Sequence, residues 1–346
     1  MSRLAQGSHP PASTPAPTPA LATAAPQAAA ELCEGVAYVY DDTVEGLLSA
    51  IFAAYANHED PSDVAPERCL QPRLGQRIAF VETDPAHARR VARTLKERCG
   101  WKAFHAVRCA ALSELPDAGT AAYRFVRYAL DEQKQRDCGR CRKRRSCRGA
   151  SGQGPCPRLA GRALSDITHP CVEPMHRITR SISQECEHMR QFIRFEHLHD
   201  ARSDLWFARC NPKSSVVPLI MGHFVERFNI QPFVIYDEVH SLAGVYEGRD
   251  WYLVRAEGEL SLPGAAAEEA LMQTAWRRFY QAVSVESRYH PELRQHFMPK
   301  RFWRNLTELQ QEVPRSLEPS AQRPGATPVR SKSGMKLSSQ APPSWK

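Results

Sequence analysis

Four cysteines, Cys138, Cys141, Cys147 and Cys156, follow the spacing C-x2-C-x5-C-x8-C. A C-x2-C turn aims two thiolates at one ion, and a second pair closes the site from a short loop. Gly139, Gly149, Gly152, Gly154 and Pro155 supply the turns. Four soft sulfurs suit tetrahedral Zn²⁺ or an iron–sulfur cluster, and the spacing leaves both open. Either would be structural, because four protein ligands leave no coordination position for a substrate. Arg140, Arg142, Lys143, Arg144, Arg145 and Arg148 sit among these cysteines. A stapled loop would fix those cations in space and give salt-dependent phosphate binding with little base reading.

Further along, Asp237 and Glu238 directly follow the apolar run Phe233–Tyr236. An acid at a strand end is held rigidly beside loops and can act as a base or ligand. His223 and Arg227, four residues apart, share a helix face and could meet a phosphate or that acid. Asp237, His223 and Arg227 are therefore the catalytic candidates. A turn or cap carboxylate and a surface ion-pair set are the bland alternatives. The segment 289–303 is dense in cations and aromatics, with Lys300, Arg301 and Trp303 as candidate nucleic-acid contacts. Docking of Phe297, Phe302 and Trp303 into the core explains the same residues. His197 and His199 read as a hairpin tip, and Cys171 and Cys186 as core cysteines. No Walker loop, dinucleotide glycine fingerprint, G-x-S-x-G elbow or H-E-x-x-H helix is present.

The elements that must position these residues alternate between strand and helix. Val36–Tyr40 and Ile78–Val81 read as strands, each leading into a helix. The first helix is expected to start from an Asp42/Glu45 capping box, the second from Thr83 with Pro85 in its first turn. Helices follow at Thr120–Gln135, around Met175–Met189, and from Ser215 or Pro218 to Phe228. Strands are expected at Phe192–Phe195, Leu205–Ala208, Pro232–Tyr236 and Trp251–Val254. Met272, Trp276, Phe279, Tyr280 and Val283 recur at helical steps. The expected class is mixed α/β (α+β), one large domain with a mixed sheet and a helical C-terminal end. Residues 1–33 and 314–346 are expected to be disordered tails flanking a domain at 34–313, with the cysteine insertion at 137–165.

Charge sharpens the division. The net charge is +8, yet residues 134–148 hold eight basic side chains against Asp137 alone, and five more without an acid follow Glu318. The body is consequently net acidic, and a polyanion would meet the loop and the tail first. No apolar run reaches the roughly 18 residues of a membrane span. With no signal- or transit-peptide pattern, a cytoplasmic location is expected.

Three segments carry a family resemblance: Tyr38–Leu48, Met189–Phe195 and Phe297–Trp303. They resemble a bacterial family of DNA-metabolism proteins, a domain of unknown function, over roughly residues 36–306. Members of that family accompany a radical-SAM protein similar to spore photoproduct lyase, and some are fused to a uracil-DNA glycosylase. The resemblance implies a DNA-binding accessory protein of repair or modification, with DNA and a radical-SAM protein as partners. An enzyme acting on damaged or modified DNA, and a metal-stapled protein–protein adapter, are the alternatives. The family motif has His where Phe297 stands and Tyr where Phe302 stands.

Overall fold

Val36–Tyr40 (β1) is apolar at every position, and four of its five residues are buried. Such a run suits the centre of a parallel sheet covered on both faces. In the computed structural model, which describes residues 35–134, 145, 162–199, 204–256, 262–288, 290–310 and 339–340, β1 has that place. It pairs in parallel with Asp63–Pro66 (β2) on one side and Arg77–Phe80 (β3) on the other.

Helix α1 (Val44–Ala56) packs back on β1, and α2 (Pro85–Arg98) packs on α1. Both caps differ from the expected ones. Thr43 caps α1, its hydroxyl accepting the Gly46 N–H at 2.8 Å. Asp42 cannot cap, because an N-cap needs extended backbone and Asp42 has a φ of 62°. Asp84 caps α2, its carboxylate accepting the N–H groups of Ala86 and His87. Thr83 Oγ1 instead lies buried without a hydrogen-bond partner.

Two helices follow, α3 (Trp101–Ala111) and α4 (Ala118–Lys134). Gly119 lets α4 press on β2, where a Cβ would collide with the Val64 carbonyl oxygen. The adjacent Thr120 hydroxyl accepts the Val64 N–H at 2.9 Å. Helix α5 (Glu173–Phe192) places Met175, Ile178, Ile182, Cys186 and Met189 in the core. It packs against α3, α4 and α6 (Val217–Arg227), and so joins the first layer to the second.

The second sheet runs in the order β4 (Phe195–His199), β5 (Asp204–Cys210), β6 (Phe233–Asp237), β7 (Leu242–Tyr246), β8 (Trp251–Arg255), with the two-residue β9 (Ser339–Gln340) beside β8. Only β5 and β6 pair in parallel, across the α6 connection. The mixed α/β class is thus observed, with the strands divided between a parallel and a mixed sheet. The strand expected at Phe192–Phe195 begins at Phe195, because α5 continues through Phe192. His197 and His199 lie in β4, and His199 pairs with Asp204 at the end of the antiparallel β4–β5 ladder. Gly244 of β7 leaves the space that Met221 and Val217 of α6 fill. Phe207, Phe233 and Ile235 are almost wholly buried, each worth roughly 1.5–3 kcal/mol.

The chain closes with α7 (Glu269–Val283), α8 (Pro291–Phe297) and a 3-10 helix at Lys300–Asn305. Among the described residues no helix is long and apolar enough to cross a membrane.

Candidate functional site

Helix α7 buries only Glu269. Its apolar positions face outward: Met272 is 64% exposed, Trp276 41%, Phe279 56% and Val283 56%. Trp276 and Phe279 lie 5.7 Å apart, ring centre to ring centre. Trp276 is held by its Nε1–H, which donates to Glu308 at 2.9 Å. Glu308 also pairs with Arg194 at 2.8 Å. Burial raises the Glu308 pKa, but the hydrogen bonds from Arg194, from its own backbone N–H and from Trp276 together outweigh it and hold it below the usual range.

Between α5, the end of α7 and α8 lies a groove of about 1050 Å³. Arg180, Arg288 and Arg294 line it together with Phe192, Tyr280 and Phe297. Phe297 is 65% exposed, and Arg294 stacks over Trp303 at 4.7 Å. Cations that neutralise phosphate thus alternate with rings that can stack on bases.

The predicted contacts divide here. Lys300 is exposed at the start of the 3-10 helix. Trp303 is half-buried, its Nε1–H donating to the Met298 carbonyl. Arg301 is engaged with the buried Glu185 at 2.6 Å. Glu185 also accepts the Lys213 N–H at 2.7 Å, so Arg301 ties the closing segment to α5. Phe302 is buried against His188 and Phe192. Arg145 is exposed. Cys138, Cys141, Cys147, Cys156, Arg140, Arg142, Lys143, Arg144 and Arg148 lie outside the described residues. Among the described residues no group of three or more His, Cys, Asp or Glu could hold a metal.

A second polar centre lies where the carboxyl ends of strands from both sheets meet. The pleat of β6 puts Asp237 on the face of Phe233 and Ile235, so it is fully buried. Its Oδ1 accepts the N–H groups of Val239 and His240, at 2.9 and 3.1 Å. Its Oδ2 lies 2.6 Å from His240 Nδ1. On the other side of the ring, Nε2 is 3.0 Å from Glu114. Arg68 bridges Glu114 to Asp42 at the end of β1, with 2.8 and 2.9 Å bonds to the two Asp42 oxygens. Burial pulls the His240 pKa down, but Asp237 and then Glu114 outweigh it, and the net shift is upward.

His223 and Arg227 do not join this centre. Both lie on the exposed side of α6, His223 edge-on to Phe224 and Arg227 over Phe228. Asp237 spends its oxygens on His240 and the turn. At the neighbouring Cys210, burial and then Asp237 push the thiol well above its usual pKa. Residue spacing hinted at His240 alone, an imidazole three positions after the strand-end acid. Asp42, Arg68 and Glu114 carried no local signal.

A mixed α/β protein with an outward-facing aromatic and cationic helical groove is the class that fold and site define. Residues 158–308 match the family model of a domain of unknown function, DUF4130. The matched stretch holds α5–α8 and β4–β8, hence the whole groove and the Asp237–His240 turn, while Asp42, Arg68 and Glu114 precede it. No curated protein matches the chain.

Proposed function

We propose that the protein binds single-stranded DNA along the groove between α5 and α7–α8, as an accessory in DNA repair or modification. The observation that carries this reading is the exposed Phe297, with Phe192 and Tyr280, beside Arg180, Arg288 and Arg294 in the groove, while Trp276 and Phe279 stand exposed further up α7. Exposed rings are costly in water, and stacked bases cover them while the guanidinium groups meet phosphate. The family resemblance supports DNA as the polymer and a radical-SAM enzyme as the partner. Cys138, Cys141, Cys147 and Cys156 have the donor chemistry for Zn²⁺ or an iron–sulfur cluster, which would stiffen the basic loop as a further phosphate grip.

Fluorescence anisotropy with a labelled oligothymidine tests the proposal. Affinity should fall steeply with salt, by a log–log slope of roughly 0.7 per phosphate contact. Phe297→Ala should weaken binding about tenfold, within the range of one stacked base. Binding that ignores both salt and Phe297→Ala would contradict it. Retention of a radical-SAM protein with no retention of DNA would favour the adapter instead.

A further inference from the structure

The Asp237–His240 turn and the end of β1 enclose a cleft of about 280 Å³, lined by Asp42, Arg68, Glu114, Ser215, His240 and Arg255. Ligands of α/β proteins gather beyond the carboxyl ends of parallel strands, and this cleft faces those of β1 and β6. At about 30 Å³ per water its volume equals roughly nine waters. That is room for one phosphate group with its flanking carbons. Backbone strain concentrates here too. Of three non-glycine residues with positive φ among the described residues, Asp42 and Ser241 adjoin the cleft. Such strain persists where the surroundings enforce it, and it clusters at ligand sites.

We propose that this cleft is a binding site for a single phosphodiester group, which takes the place now held by the Glu114 carboxylate. Glu114 is the exchangeable member. Asp237 is buried and locked by its turn, whereas Glu114 lies on the connection between α3 and α4 with a third of its side chain exposed. Its two oxygens accept from both outer nitrogens of Arg68, and one of them also meets His240 Nε2. A phosphodiester offers the same pattern, two free oxygens sharing one negative charge.

Charge selects the same ligand. Each His240 ring nitrogen faces an anionic oxygen, which only accepts, so the ring carries a proton on both. With a ligand oxygen in place of Glu114, Arg68, Arg255 and this imidazolium face Asp42 and Asp237, which leaves one positive charge. A monoanion neutralises it, whereas a phosphate monoester dianion would overshoot. Arg255 is exposed and pairs with no acid among the described residues, so it is open to an incoming oxygen. This site shares no residue with the groove, and each stands or falls alone.

The test is a titration of the full-length protein with thymidylyl-thymidine, which has one phosphodiester, followed through the His240 ring nitrogens by NMR. The wild type should show a saturable shift. Glu114→Gln removes the competing charge and should bind about tenfold tighter, a gain of about 1.4 kcal/mol. Arg255→Ala should bind about tenfold more weakly by the same measure. Because Arg255 is exposed, that variant keeps the test decisive where Glu114→Gln fails to fold. No shift, unchanged affinity in Arg255→Ala, or an equal response to acetate would overturn the proposal.

Discussion

Asp237 is buried because it continues the inward face of β6, and a buried carboxylate is tolerated only when its oxygens are bonded. The turn that follows meets this need and fixes the His240 ring. Asp237→Asn should lower the His240 pKa below the wild-type value, since burial then meets less opposing charge. An unchanged value by NMR would contradict the pairing. The raised pKa also sets a pH dependence. A histidine whose folded pKa exceeds its unfolded value adds stability that is complete below about pH 6.5 and fades as pH rises through the folded pKa. Urea midpoints should therefore fall between about pH 6 and pH 8 in wild type, and less steeply in His240→Gln. Parallel slopes for the two would remove His240 as the source.

At the scale of elements, the contact of α4 with β2 depends on Gly119. Gly119→Ala must push against the Val64 carbonyl, which is backbone and cannot rotate away. A loss of about 1–3 kcal/mol is expected, the usual range for overpacking, read as a lower denaturation midpoint. A midpoint equal to wild type would show that α4 can withdraw freely. The strands and helices with strong periodicity were legible from residues alone: β1, α5, β6, β8 and α7. Helix α3 was not, because Trp101–Ala111 is rich in small alanines that pack without a clear stripe of large side chains. The four-residue β2 and the glycine-containing β7 likewise carry too little pattern. Each cap fell one residue later than composition suggested, since Asp42 and Thr83 compete with equally good neighbours. Periodicity placed Met272, Trp276, Phe279 and Val283 on one helix but could not say that this helix would turn them outward.

Across the whole molecule, the polar centre joins residues 26, 46 and 126 positions apart along the pairs Asp42–Arg68, Arg68–Glu114 and Glu114–His240. Only the meeting of two sheets brings them together, so no spacing rule could have found them. Asp237 was legible as a strand-end acid, while its partner was not His223. The positive charge of the chain is concentrated at residues 134–148 and in the segment after Glu318. If the four-cysteine loop holds its ion, metal analysis should return zinc or iron in stoichiometric amount, and replacing Cys138 and Cys141 with Ser should abolish it. Loss of the ion should weaken DNA binding without moving its place on the groove. That place is open to direct measurement: ultraviolet cross-linking of a bromodeoxyuridine oligonucleotide to the full-length protein, with the adducts mapped by mass spectrometry. Adducts at Phe192, Tyr280 or Phe297, which line the groove, are the predicted result. Efficient cross-linking that misses α5, α7 and α8 altogether would contradict the groove as the DNA site.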